Sequence, residues 1–73
     1  MWFSIKIKGE YLLGFDTYYW DGKGFTDNEE EAMLYQTNKD IEFVKNNLFT
    51  TKLGKKILKA AGEYKDRIEI DNF

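Results

Sequence analysis

The apolar positions between residues 37 and 61 fall on two helical phases, and that break constrains the fold more than any other feature. On a helical wheel Ile41, Val44 and Leu48 cluster within about 60°. Continued in the same register, Leu53 and Ile57 lie about 120–160° away. One straight helix fits both groups poorly. The chain therefore predicts a helix over 38–48 and another over 51–61, separated after Asn46-Asn47, residues of modest helix propensity. Thr37 is the expected N-cap of the first helix, with Asp40 three residues on to help satisfy its free amides. Thr50 or Thr51 caps the second, and Gly62 stands at its C′ position. Helices this short do not persist alone in water, so their apolar stripes need a sheet to cover.

The flanking segments supply that sheet. Trp2 to Lys8 alternates, with Phe3, Ile5 and Ile7 on one face and Trp2, Ser4, Lys6 and Lys8 on the other. Tyr11 to Trp20 reads as an aromatic strand bent at Gly14. Asp21-Gly22-Lys23-Gly24 is the strongest turn signal, and Asp21-Gly22 fits a two-residue hairpin loop from which Phe25 begins a return strand. The acidic stretch Asp27 to Glu31 precedes a short strand over 31–35; the alternative starts a helix at Asp27 with Glu30 as its box residue. Lys65 to Asp71 resumes alternation, Ile68 and Ile70 inward, Glu69 and Asp71 outward, as a closing strand that can join the first. The expected architecture is a single α+β domain over 1–73 in the order β-β-β-α-α-β. Its antiparallel sheet of about four strands (2–8, 11–20, 31–35, 65–71) carries both helices on one face.

Composition removes several classes of chemistry. With no cysteine there are no disulfides or thiolate metal ligands, and with no histidine the usual neutral-pH base is missing. Ser4 is the only serine, and no residue beside it is an evident activator. Gly22-Lys23-Gly24 is too short to cradle phosphates, and neither Asp16 to Asp27 nor the run from Asp21 matches a calcium loop. No pair of carboxylates stands out as an acid and base. The expectation is no enzyme, no metal and no cofactor. No apolar run is long enough to span a membrane, and the N-terminus lacks the pattern of a signal peptide, so a cytoplasmic location is expected. For a chain of this mass the surface-scaling rule gives roughly 4,700 Å² exposed when folded. Burial on that scale is marginal without a disulfide or metal, which favours a dimer or a larger partner.

Three surface patterns remain. Charge is uneven: residues 1–44 carry four lysines against nine acids, and residues 45–67 carry seven basic groups against two acids. Lys52, Lys55, Lys56 and Lys59 share one side of the second helix, opposite Leu53, Ile57, Ala60 and Ala61. Such a side is an ordinary solvated face, or a contact for phosphates or an acidic partner. The aromatic residues are too many for one buried face of a small sheet, which suggests that Trp2, Tyr11, Tyr18 and Trp20 form a contact surface beside Asp16, Glu29 and Glu30. Base stacking is disfavoured there by the neighbouring acids. The acids Asp16, Asp21, Asp27, Glu29, Glu30, Glu31 and Asp40 also admit mimicry of a phosphate backbone, although the net charge of -2 is close to neutral for a dedicated mimic.

The composition, rich in Lys, Asn, Ile, Phe and Tyr and lacking Cys and His, resembles that of accessory proteins of AT-rich bacteria and their phages. That resemblance implies an interaction protein, including inhibitors of host defence or of nucleic-acid enzymes. The reading is a non-enzymatic protein that binds or occludes a macromolecular partner, or self-associates, through the aromatic sheet region and adjacent acids. The alternative is a nucleic-acid-associated accessory protein using the four lysines.

Overall fold

In the computed structural model, residues 1–9 and 17–73 are described. The chain forms a small α+β fold with an antiparallel sheet and two helices, in roughly the expected order, with four strands rather than three before the helices. The strands are β1 (Trp2–Ile7), β2 (Tyr18–Trp20), β3 (Phe25–Thr26), β4 (Tyr35–Gln36) and β5 (Ile68–Asn72). The helices are α1 (Ile41–Asn47) and α2 (Lys52–Ala61), with 3₁₀ turns at Glu29–Glu31, Leu48–Thr50 and Gly62–Arg67.

β1 is the spine. β5 pairs with it from Phe3 to Ile7, while β2 pairs at Lys6 and Ile7 and β4 at Trp2 and Phe3. Because β5 overlaps both of the others, β2 and β4 must share the opposite edge of β1. The bonds Lys8 N to Arg67 O at 3.1 Å and Phe73 N to Trp2 O at 2.8 Å fix the register at both ends of the β1–β5 ladder. Even-numbered residues of β1 thus bond β5. At the other edge the Met1 ammonium and the Thr37 amide each bond the other residue's carbonyl, at 3.0 and 2.9 Å.

The helix-side face of the sheet holds the core. Phe3, Ile5, Ile7 and Trp20 are buried there, and Val44, Leu48, Ile57 and Ala61 come from the helical layer. Phe3 stacks on Tyr35 with ring centroids 5.5 Å apart, and Trp20 meets Phe25 edge-on at 5.3 Å. The Trp20 indole N–H donates to the Tyr35 hydroxyl at 3.0 Å, so its polar atom is satisfied inside the core.

Several local expectations change. Asp40, not Thr37, caps α1: its Oδ1 accepts from Phe43 N at 2.8 Å. Thr37 instead belongs to the β1 ladder, and its hydroxyl accepts from Lys39 N at 3.0 Å. The helix therefore begins later than residue 38. The expected strand over 31–35 reduces to Tyr35–Gln36, because the Asn28 side chain accepts from Glu30 N and closes a 3₁₀ turn before it. The closing strand starts at Ile68 because Gly62–Arg67 continues past α2 as 3₁₀ helix. Of the expected strand over 11–20, only Tyr18–Trp20 is strand among the described residues, and Tyr11, Gly14 and Asp16 lie outside them. The hairpin turn centres on Gly22-Lys23 rather than Asp21-Gly22. Gly22 takes φ +100°, and Asp21 Oδ1 accepts from Lys23 N and Gly24 N at 2.8 Å each. Those two amides hold the Asp21 carboxyl below its ordinary pKa.

The break between the helices is present. Thr51 caps α2 by accepting from Gly54 N at 3.0 Å, and Gly62 ends it with φ +59°. Gly54 is buried where α2 crosses the preceding turn, and a Cβ there would overlap the Leu48 carbonyl oxygen and Phe49 Cα, both backbone atoms. Gly54→Ala is therefore expected to destabilise by about 1–3 kcal/mol despite alanine's better helix propensity. Gly24→Ala, where the added methyl meets open space, serves as the control. Urea denaturation of the two variants measures the difference.

Candidate protein-interaction face

The sheet face turned away from the helices carries the residues that alternate with the core set. On β1 these are Trp2, Ser4 and Lys6. Cross-strand pairing places Tyr19 beside Lys6, and Glu69 and Asp71 beside Lys6 and Ser4. Phe73 continues the same ladder opposite Trp2.

At the centre of this face Lys6 Nζ lies 2.9 Å from Asp71 and 3.9 Å from Glu69. Its hydrogen bond to Asp71 raises its pKa above the ordinary lysine value; partial burial opposes the shift, and attraction to the two carboxylates reinforces it. Ser4 is only 3% exposed, between Trp2 and Lys6 along the strand.

A cavity of about 320 Å³ opens over these residues, bordered also by Glu29, Glu30, Ala32, Leu34 and Phe73. Large apolar side chains are exposed on the same side: Trp2 at 45%, Leu34 at 53% and Phe73 at 71%. The arrangement is a charged, hydrogen-bonded centre with apolar side chains around it.

The sequence-predicted contact residues divide. Trp2, Glu29 and Glu30 belong to this face. Trp20 does not: it is fully buried, on the helix side of the sheet. Tyr18 is half-buried and also faces the helix side, lining a separate cavity of about 310 Å³ with Phe25, Ala60 and Tyr64. The parity of β2 explains both corrections, since Tyr18 pairs with Ile7 and Trp20 with Phe25, on the core face. Tyr11 and Asp16 lie outside the described residues. Lys52, Lys55, Lys56 and Lys59 are all exposed along α2, away from the sheet face. Ala60, expected on the apolar side of α2, is exposed as well.

Sequence reasoning missed Lys6, Tyr19, Leu34, Asp71 and Phe73 as members of one surface. The alternation of β1 and the outward acids of the closing strand were visible; the register that joins them was not.

No family model, curated protein or solved structure matches the chain. No helix among the described residues is long and apolar enough to cross a membrane.

The Lys6–Asp71 pair has a defined pH signature. Its folded-state lysine pKa is raised, so its contribution is complete below about 10.4, the unfolded value, and is lost as pH rises through the folded value. Asp71→Asn is expected to cost about 0.5–1 kcal/mol at pH 7. That difference should stay level to about pH 10 and shrink above it. Urea titrations across the alkaline range check the sign.

Proposed function

We propose that the chain is a non-enzymatic, cytoplasmic interaction protein that occludes or scaffolds a protein partner through the helix-free face of its sheet. The carrying observation is the exposure of Trp2, Leu34 and Phe73 beside the Lys6–Asp71 centre. An aromatic anchor on a strand offers contact area at low entropic cost, and a polar centre with defined partners supplies orientation. Glu29 and Glu30 extend the surface with negative charge, which suits a partner carrying basic groups. An inhibitor that covers a basic site on another protein is one form of this role.

The second reading rests on α2. Its four lysines are exposed, and none forms an ion pair among the described residues. They can meet phosphates as point charges, giving nucleic-acid association with little base selectivity.

Parallel capture experiments separate the two. The native chain, a Trp2→Ala/Leu34→Ala variant and a variant with all four lysines changed to Gln are used as bait at about 0.1 and 0.5 M salt. The interface reading expects a partner that survives the higher salt, is lost with the apolar variant and is kept with the lysine variant. Loss at high salt and with the lysine variant, but not with the apolar one, overturns it in favour of nucleic-acid association. Molecular mass across a concentration series identifies the partner as a second copy if the chain self-associates.

A further inference from the structure

Among the described residues β5 pairs only with β1, and its other side is an edge of the sheet they form. The register decides which groups that edge offers. Residues 67, 69, 71 and 73 form the hydrogen-bonded pairs with β1, so the backbone groups of Ile68, Ile70 and Asn72 point away from it. The Ile68 amide already bonds the Lys65 carbonyl. The Ile70 and Asn72 amides and the carbonyls of all three residues have no hydrogen bond to other described residues. This is the array to which an extended strand adds.

The side chains say what kind of strand fits. On the helix-free face the edge presents Glu69 and Asp71, with Lys6 the one cation between them. On the helix side it presents Ile68 and Ile70, both half-buried. A second copy of β5 is a poor occupant. Antiparallel pairing centred on Ile70 sets Glu69 against Asp71; centring on Glu69 or on Asp71 sets each carboxylate against its own counterpart. Every such register opposes like charges, which destabilises directly facing pairs.

We infer that the β5 edge is a strand-addition site for an extended segment of a partner protein that alternates basic and apolar residues. The basic side chains face Glu69 and Asp71, and the apolar ones continue the row of Ile68 and Ile70. The backbone bonds supply affinity without sequence preference, and the alternation supplies selectivity. This rests on the reading of the chain as a protein-binding module and adds the chemistry of the partner.

The probe is a synthetic peptide, acetyl-Lys-Val-Lys-Val-Lys-Val-Lys-amide, added to the full chain labelled for amide exchange. At saturation the Ile70 and Asn72 amides should exchange at least about tenfold more slowly, because hydrogen-bonded amides exchange only on opening. The Ile68 amide, bonded already, serves as the internal reference. The bound peptide places its valines on the same face as Ile70, so its valine amides point at β5. N-methylation of the valine amides should abolish the protection, and N-methylation of the lysine amides should leave it. The Glu-Val analogue should give none. Failure of the basic peptide to bind, binding without protection of Ile70 and Asn72, or equal loss from both methylation patterns overturns the inference. Trp2→Ala/Leu34→Ala separates the two proposals. Partner loss in that variant with no peptide protection in the native chain defeats the edge alone. Peptide protection with partner retention in that variant defeats the face alone.

Discussion

The fold depends on one strand being hydrogen-bonded on both sides. β1 gives its even-numbered backbone groups to β5 and its odd-numbered ones to β2 and β4, which follow each other along one edge. Chain ends distant in sequence are thereby tied together: residues 67–73 lie along 2–8, and Met1 is bonded to Thr37. The same alternation sends Phe3, Ile5 and Ile7 to the helices and Trp2, Ser4 and Lys6 to the other side. The core face and the outward face are two outcomes of a single register. A slip of one residue would exchange them, placing a lysine in the core and three apolar side chains in water.

Burial then separates the aromatic rings of the core from those left exposed. The largest fully buried side chains among the described residues are Trp20 and Ile5 from the sheet and Ile57 from the helical layer. Trp20 fits because its ring covers apolar surface while its N–H reaches Tyr35. On the opposite face no comparable ring among the described residues fills the centre. Lys6 and Asp71 occupy it instead, and Trp2 and Phe73 lie opposite each other along the ladder.

Sequence periodicity revealed elements better than it revealed their ends. The phase break between Leu48 and Leu53 was legible because it depends on side-chain spacing within one segment. The cap at Thr51 and the glycine stop at Gly62 were legible for the same reason. The cap of α1 was not: Thr37 and Asp40 both satisfy the local rule, and the choice falls to Asp40 because Thr37 is held by Met1, far away in sequence. The fate of Trp20 has the same character. Alternation separated Tyr19 from Tyr18 and Trp20, but which set faces inward is decided by pairing with β1. Lys6, Asp71 and Phe73 escaped as one site because ladder register, rather than composition, brings them together.

A protein built this way spends its hydrophobic side chains unequally, with one tryptophan in the interior and the other on the surface. Acrylamide quenching of the native chain and of Trp2→Phe tests that division directly. The account predicts a readily quenched component that disappears with Trp2, leaving blue-shifted emission from Trp20 that is almost inaccessible to the quencher. Red-shifted, freely quenched emission from a folded Trp2→Phe protein would contradict it, because Trp20 would then lie outside the core on which the two-faced sheet depends.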